Sequence, residues 1–443
     1  MRFISCVILP LLWSQAISAE LLYPEDSSYV QMVKDRYIVV LKRKDTAILE
    51  NLISSIGVKP DFKYLHSIVG FTASLTEAQL EQLDQNPQVD FFEQDSETST
   101  QPVNTGEHTK RFNRDFIKEK RRSYSFIGRN KKNIATQKRA PWGLARISNR
   151  RRRHTKYTYD KSAGSGTCVY ILDSGIEINH PEFEGRAKFL KNFSGGSDGD
   201  NDGLGTHHAG IIGSKTYGVA KNTTLYSVKI TDTGTVRAST LIAALDFLSH
   251  ERFFSSECPN GSVIHISESI DYSPTLNIAV SKAGWGFTVV NAAGNWASNI
   301  GSDSPSSAES ACTVGATDRD DKFADYSNYG KHVNILAPGS DVLSTWIGAG
   351  TRSLTGTQMA SSHVAGLSAY FLGRGVAWVA VCEMMVDRGT KNAIDKKSFP
   401  SYRRVKNEVT KQNKKFTSKE IYDAGKSYYE YMDPPNVLAY NGF

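Results

Sequence analysis

A tight turn that leads into an apolar helix is the kind of segment that presents a nucleophile to a substrate. The turn is Gly356-Thr357, and the helix after it carries Ala360, Val364 and Ala365. The unpaired amides at a helix N-terminus favour negative charge in front of them. The residue placed for attack is Gln358, and a carboxamide cannot form an acyl-enzyme. The sequence therefore predicts a catalytic layout with a non-catalytic residue at its centre.

Three further stretches have the composition of parts of the same site. Asp173 ends an apolar run, 169–172, that is typical of a buried strand. A glycine-rich stretch with two histidines runs from Asp202 to Gly210, and Asn295 ends the turn that begins at residue 291. A carboxylate, an imidazole and an amide donor are the groups that accompany a nucleophile in serine peptidase chemistry.

These stretches resemble the subtilisin-type serine proteases. The nucleophile segment of that family reads Gly-Thr-Ser-Met-Ala, and this chain has Gly-Thr-Gln-Met-Ala at 356–360. The histidine segment reads Gly-His-Gly-Thr-His, and this chain has Gly-Leu-Gly-Thr-His at 203–207. The match is closest to the fungal proteinase K and vacuolar proteinase B (cerevisin) branch. It spans about residues 140–441, and it is also carried by 168–173, 180–186, 214–221 and 435–441.

The resemblance implies a role for each of four positions, and two of these positions have lost their chemistry. Asp173 is at the position of the orienting carboxylate and Asn295 at that of the oxyanion donor. Leu204 replaces the base and Gln358 replaces the nucleophile. If a helix begins at Leu204, His207 is about 4.5 Å along its axis and too far to act as the base. We expect neither His207 nor His208 to substitute, so Asp173 is left as a structural residue without a partner.

The leading hypothesis is a secreted, catalytically inactive homologue, a pseudoprotease, that acts by binding a peptide or a partner protein. The alternative is an active serine endopeptidase with rearranged machinery, although the nearby Thr357 and Ser361 have no evident base. A third hypothesis is a decaying gene product, but the retained cysteines, glycine turns and core pattern argue against loss of the fold.

The substrate edge and the calcium site also depart from the family. The family has Ser-Leu-Gly-Gly where this chain has Ser-Glu-Ser-Ile at 267–270, and loss of glycine disfavours close approach of a peptide backbone. Glu268 adds charge near the cleft. The resemblance implies a calcium site formed by the carbonyls of Glu309 and Ala311 with an Asp carboxylate. That third position is Asn334, which weakens a site for a hard cation. We therefore expect no cofactor.

The net charge of +7 comes from one segment of the 443-residue chain. Residues 110–156 hold 18 Lys and Arg against Asp115 and Glu119, which leaves a net charge of −9 for the rest. A nucleic-acid partner is not expected on this basis. The composition, 39% apolar and 22% charged, is ordinary for a globular protein with a large core.

The first 19 residues have the features of a secretory signal peptide. Arg2 precedes an apolar run from Phe3 to Trp13 that is too short to span a bilayer, and no later stretch is long and apolar enough. We expect localisation in the secretory pathway, with the cell exterior, the wall or the vacuole as the destination. Three glycosylation sequons begin at Asn192, Asn222 and Asn260.

Four cysteines remain after the one in the signal peptide, which leaves three possible pairings. The family resemblance implies one of them, with bonds Cys168–Cys258 and Cys312–Cys382. An oxidising compartment would allow both bonds to persist.

The predicted organisation is a small α+β prodomain of the ferredoxin-like inhibitor type at 36–95, a basic disordered linker at 96–139, and a subtilisin-like domain at 140–443. A processing site is predicted after Lys138-Arg139. In the last domain, apolar strands alternate with helical patterns, which predicts an α/β three-layer sandwich around a parallel sheet. The resemblance implies that the prodomain is a binding partner of the domain it precedes. Five strands are predicted in this sheet: 169–172, 225–230, 263–266, 288–291 and 312–315.

Overall fold

The fold is taken from a computed structural model of the full chain. It describes residues 21–22, 30–99, 133–232, 234–250, 257–301, 303–400 and 433–442. The predicted signal peptide lies outside these residues. Among the described residues, no helix has both the length and the apolar character needed to cross a bilayer.

The N-terminal domain has the βαββαβ order of a ferredoxin-like fold. Its helices are α1 (Thr46–Ile56) and α2 (Glu77–Asp84), and Thr76 and Gln79 form a capping box at the start of α2. A short strand, β1, precedes the main strands and pairs in parallel with the last of them. The sheet order is β1-β5-β2-β4-β3, with strands β1 (Leu21–Leu22), β2 (Val30–Leu41), β3 (Phe62–Tyr64), β4 (Gly70–Ser74) and β5 (Val89–Ser99).

The C-terminal domain is built on a nine-stranded sheet, and its five central predicted strands are confirmed. These five and their neighbours β9 and β17 run parallel. The order is β20-β21-β17-β16-β14-β12-β8-β10-β9. The strands are β8 (Cys168–Asp173), β9 (Ala187–Asn192), β10 (Thr224–Lys229), β12 (Ser262–Ile266), β14 (Thr288–Ala292), β16 (Cys312–Thr317), β17 (Ile335–Pro338), β20 (Thr390–Lys391) and β21 (Val437–Leu438).

Shorter strands form pairs outside this sheet, and helices cover both of its faces. The remaining strands are β6 (Ile134–Lys138), β7 (Lys156–Asp160), β11 (Thr235–Arg237), β13 (Ile270–Asp271), β15 (Asp303–Ser304), β18 (Val342–Trp346) and β19 (Gly350–Leu354). The helices are α3 (Trp142–Ile147), α4 (Leu204–Gly213), α5 (Ala238–His250), α6 (Pro274–Ala283), α7 (Thr357–Leu372) and α8 (Val381–Arg388).

The alternation of side chains along β8 explains the three layers. Val169 and Ile171 belong to the apolar core that contains the residues of α4 and α7, whereas Tyr170 and Leu172 belong to the core on the α5 and α6 side. Successive side chains of a strand point to opposite faces, so a strand that is apolar at every position must be covered on both. The predicted sandwich around a parallel sheet is therefore confirmed.

Both ends of the predicted disordered linker form strands, which corrects its boundaries. Strand β5 continues to Ser99 and pairs with β11 of the C-terminal domain. At the other end, β6 pairs with β7 in an antiparallel hairpin. Composition alone could not reveal either strand, because each is stabilised by a partner distant in sequence. Residues 100–132 lie outside the described part.

The structure contains both disulfides that the resemblance implied. Cys168 on β8 is bonded to Cys258 before β12, and Cys312 on β16 is bonded to Cys382 in α8. The sequence separations are 90 and 70 residues, so each bond closes a long loop and constrains the unfolded chain.

Candidate active site

Asp173 and His208 form a buried carboxylate–imidazole pair. The His208 Nδ1 atom is 2.7 Å from the Asp173 Oδ2 atom, and the two side chains are 1% and 3% exposed. Although burial alone would raise the pKa of Asp173, attraction to His208 and hydrogen bonds at the carboxylate hold it below its usual value. The expectation that Asp173 lacks a partner is therefore wrong.

The helical spacing of α4 brings His208 to this position. Residues four apart on a helix lie on the same face, and His208 is four residues after Leu204. The start of α4 is held by Asp200, which accepts hydrogen bonds from the backbone amides of Gly203 and Thr206. The i, i+4 spacing was available in the sequence and could have identified His208 as the histidine nearest Asp173.

Leu204 is accommodated as an apolar core residue. It is 8% exposed and belongs to a cluster with Val342, Leu354 and Met359, against which Trp346 also packs. The position that the family resemblance assigns to the base therefore has no acid–base group. His207, which follows three residues after Leu204, directs its Nε2 atom to two backbone carbonyls, and burial lowers its pKa to about 3.

Gln358 and Asn295 bind each other. The Asn295 Nδ2 group donates a 2.8 Å hydrogen bond to Gln358 Oε1, and Asn295 Oδ1 accepts from the amide and hydroxyl of Thr357. Gln358 is only 4% exposed. The amide that would stabilise an oxyanion is thus directed at the residue that replaced the nucleophile.

A second histidine contact lies beneath the first turn of α7. The His265 Nε2 atom is 2.9 Å from Ser361 Oγ, and Ser361 donates its own proton to the carbonyl of Gln358. Both side chains are fully buried. Ser361 therefore does have an imidazole partner, contrary to expectation, and no local pattern could indicate this contact because His265 is 96 residues away.

The partner of His208 determines where its proton lies. The carboxylate of Asp173 can only accept, so His208 Nδ1 donates, whereas either atom can be the donor between His265 Nε2 and Ser361 Oγ, depending on the His265 tautomer. The other ring nitrogens, His208 Nε2 and His265 Nδ1, are buried and have no hydrogen-bond partner among the described residues. The two rings are 5.8 Å apart, and burial beside His208 lowers the pKa of His265 to about 3.

The end of the stretch at 267–270 is already paired with another strand of the same domain. Ile270 and Asp271 form β13, which pairs with β15. Glu268 is buried, and burial with repulsion from Asp173 and Asp202 raises its pKa to about 8. Burial therefore favours the uncharged form of Glu268 over the charged form that was expected near the cleft.

The prodomain covers the neighbouring edge. Glu97, Thr98 and Ser99 of β5 pair in antiparallel register with β11. Arg237 on β11 also donates to the carboxylate of Glu97 at 2.9 Å. The edge at which an extended peptide could add as a strand is thus occupied by a segment of the same chain.

The residues implied in a calcium site lie together, beside two basic side chains. Glu309, Ala311 and Asn334 do line one hollow, but Lys331 and His332 line it too. The Asn334 Oδ1 atom already accepts a hydrogen bond from the amide of Thr313 at 2.7 Å. Among the residues described, no group of three His, Cys, Asp or Glu is arranged to hold a metal.

The dibasic processing site is not in an unstructured segment. Lys138 lies in β6 opposite Lys156 of β7, and the amide of Ala140 donates to the carbonyl of Thr155. Arg139 has a left-handed backbone, with φ 54°. A protease that needs an extended substrate would have to open this hairpin first.

The three sequon asparagines all use their side-chain nitrogen within the fold. The Nδ2 atoms of Asn192, Asn222 and Asn260 each donate to backbone carbonyls within 2.8–2.9 Å. Asn222 and Asn260 are exposed and Asn192 is half-buried. Glycosylation at these positions stays a prediction.

Comparison with known proteins places both domains in described families. A model of the subtilase family (Peptidase_S8) matches residues 164–397, and a model of peptidase inhibitor I9 matches residues 36–101. Proteinase T of Parengyodontium album is 51% identical over 60% of this chain and 91% of its own length.

Two further matches extend this finding. The cuticle-degrading protease of Metarhizium anisopliae is 41% identical over 86% of this chain and 90% of its own length. The crystal structure of a cold adapted subtilisin-like serine proteinase superposes with a TM-score of 0.54 at 32% identity, covering 58% of this chain and 94% of that one.

Proposed function

We propose that this chain, which belongs to the subtilase family of serine proteases, is a catalytically inactive member that acts by binding a protein or peptide. The observation that carries the proposal is Gln358 at the nucleophile position, with its carboxamide bonded to Asn295. A carboxamide cannot attack a peptide carbonyl. Leu204 at the position of the base supports the same conclusion, since its side chain packs in an apolar cluster.

The fold itself is retained in detail, which supports a role that depends on folding. The parallel sheet, both disulfides and the glycine turn before α7 are all present. With β5 on the edge of β11, the prodomain is the first binding partner of the cleft. A separate partner would therefore bind another surface, or would compete with this strand.

The expected location follows from the N-terminal sequence and the cysteines. A signal peptide at 1–19 and two long-range disulfides favour the secretory pathway, with the cell exterior, wall or vacuole as destination.

The second candidate is an active serine endopeptidase with rearranged machinery. Its support is the pair Asp173–His208, the pair His265–Ser361, and the proteases named among its relatives. Against it, Ser361 is fully buried, and its hydroxyl lies against the Gln358 carbonyl and the His265 ring rather than in the cleft. A nucleophile in that position could not reach a bound peptide without unfolding the first turn of α7.

One experiment separates the two candidates. Purified full-length protein is incubated with a generic subtilase peptide substrate and with a fluorophosphonate probe, next to an active proteinase K-type enzyme as a positive control. We expect neither hydrolysis nor labelling. The matched variant Ser361→Ala tests the rearranged site: probe labelling that maps to Ser361 and disappears in this variant would establish the second candidate and overturn the first.

A further inference from the structure

A strongly basic surface lies on the C-terminal domain, in a segment that contains none of the residues assigned to the active site. Residues 134–159 contain eight Lys and Arg and no Asp or Glu. Arg146 is separate from this surface, because it is buried and paired with Asp321 at 2.7 Å. The other seven are exposed, and we call five of them, all except Arg150 and Arg152, the basic face: Lys138, Arg139, Arg151, Arg153 and Lys156.

The β6–β7 hairpin brings the two parts of the basic face together. Lys138 and Lys156 are directly opposite in the strand register. Side chains on directly opposite residues of antiparallel strands are about 5 Å apart at Cβ, and like charges there repel. The hairpin is therefore arranged in a way that a purely structural role would not favour.

Two arginines hold the loop before β7 while their neighbours remain free. Arg150 stacks on Tyr440 at 4.2 Å and donates to the carbonyl of Gly389, and Arg152 donates to the carbonyl of Asp320. These contacts fix alternate residues of the loop. Arg151 and Arg153 lie between and after them, exposed.

None of the five side chains of the basic face has a hydrogen-bond or ion-pair partner among the described residues. The pKa of His154 is lowered by burial and, to a smaller extent, by repulsion from Arg146, Arg151 and Lys156, so the positive charge of the segment acts on this imidazole. A set of unpaired cations, two of which are directly opposite each other across a hairpin, favours an anionic ligand. Guanidinium groups add bidentate geometry for sulfate and phosphate oxygens.

We propose that the basic face binds an acidic polysaccharide that carries closely spaced sulfate or phosphate groups. An anionic membrane fits less well, because membrane-surface segments combine cations with exposed apolar side chains, and none of the large apolar side chains that are exposed lies within 134–159. A single-stranded nucleic acid also fits less well, since it requires exposed aromatic rings for stacking. In this segment Tyr157 is buried, Tyr159 stacks on it, and the partly buried Trp142 has Arg319 over its ring and donates to the carbonyl of Asp341.

The test measures binding of the full-length protein to dextran sulfate, phosphorylated mannan and uncharged dextran at several salt concentrations. The variant combines Arg151→Ser, Arg153→Asn and Lys156→Ser, with Asn chosen because Arg153 has a φ of 69° and Asn tolerates that backbone. The control removes three exposed lysines elsewhere on the C-terminal domain, by Lys191→Ser, Lys331→Ser and Lys397→Ser.

We expect salt-sensitive binding to one or both charged polymers, and none to dextran. The variant should bind roughly 100-fold more weakly, since each cation near an anionic surface contributes about fivefold. The control, with the same net charge as the variant, should bind like the wild type. Equal losses in variant and control, or no binding to either charged polymer, would overturn the proposal. So would tighter binding to phosphatidylserine vesicles or single-stranded DNA at matched charge concentration.

Discussion

At the scale of single residues, the site has the carboxylate that the family resemblance implies, but this carboxylate binds a different residue. Asp173 remains at the end of β8, but it now holds His208. His208 and Leu204 are one helical turn apart, so the imidazole lies deeper than a base at position 204 would. The amide of Asn295 has likewise kept its place and is bonded to Gln358.

This arrangement predicts the result of restoring the lost catalytic groups. The double variant Leu204→His with Gln358→Ser should not reach the turnover of an active relative, because Asp173 Oδ2 already accepts from His208. Adding His208→Ala frees the carboxylate for the new histidine. We expect the triple variant to be at least about tenfold more active than the double, as general-base catalysis contributes about 100-fold or more when intact.

The measurement is kcat/KM for a peptide substrate after the prodomain has been removed with an added protease. His208→Ala alone is the control, and it should be inactive and less stable by about 3 kcal/mol, because it leaves a buried charge unpaired. Full activity in the double variant would show that His208 does not compete for Asp173.

Because the pKa of the buried Glu268 is raised, we expect the protein to lose stability at alkaline pH. Its folded-state pKa of about 8 is raised above the ordinary value of 4.5, so the native state binds the proton more tightly than the unfolded state. The stability that the protonated Glu268 contributes is complete below the pKa of the unfolded state and is lost as pH rises through the pKa of the folded state. Glu268→Gln, which mimics the protonated acid, should therefore lack this loss.

The expected difference between the two proteins is roughly 2–4 kcal/mol in the free energy of unfolding, developing between pH 5 and pH 9. Urea unfolding at several pH values measures it, and other titrating groups cancel because both proteins contain them. Parallel stability curves for wild type and variant would contradict the buried, protonated state.

At the scale of elements, the sequence predicted those features that depend on local pattern. The apolar runs of β8, β10, β12, β14 and β16 are predicted correctly, because burial on both faces gives a local pattern. The β6–β7 hairpin and the β5–β11 pairing were missed. Neither β6 nor the end of β5 is apolar, and each is stabilised mainly by backbone hydrogen bonds to a distant partner.

At this scale we also predict that removing one disulfide lowers the stability of the protein. Cys312→Ser with Cys382→Ser opens a loop of 70 residues between β16 and α8. Because both cysteines join well-packed elements, the native fold should persist while the unfolded chain gains freedom. We expect a loss of about 2–4 kcal/mol, measured by chemical unfolding against the wild type, and an unchanged midpoint would indicate that the bond adds little constraint.

At the scale of the whole molecule, buried polar contacts hold the prodomain to the C-terminal domain. Asp246 of α5 accepts from three consecutive prodomain amides, beginning with Leu65. In the other direction, Asp95 accepts from the amide and hydroxyl of Ser239, and Glu93 accepts from Ser273. None of these contacts depends on catalysis, so the two domains stay associated whether or not the segment between them is cut.

The last prediction is that the prodomain is not removed by self-cleavage. Gln358 cannot attack the chain and Leu204 cannot activate an attacker, so purified protein should keep its prodomain during prolonged incubation. Removal would require a second, dibasic-specific protease acting after Lys138-Arg139. Since Lys138 is paired in the β6–β7 hairpin, that protease should cut before folding is complete or only slowly afterwards.

N-terminal sequencing of protein from normal cells and from cells lacking the dibasic protease measures this dependence. A terminus at Ala140 should occur only in normal cells, and it should be absent in the variant Lys138→Ala with Arg139→Ala. The matched variant Lys110→Ala with Arg111→Ala, which removes a different dibasic pair, should leave it unchanged. A terminus at Ala140 in both kinds of cell would refute dependence on that protease. A terminus near Asp95 that purified protein generates alone, and that Ser361→Ala abolishes, would instead establish a rearranged active site, because only an internal nucleophile could produce it.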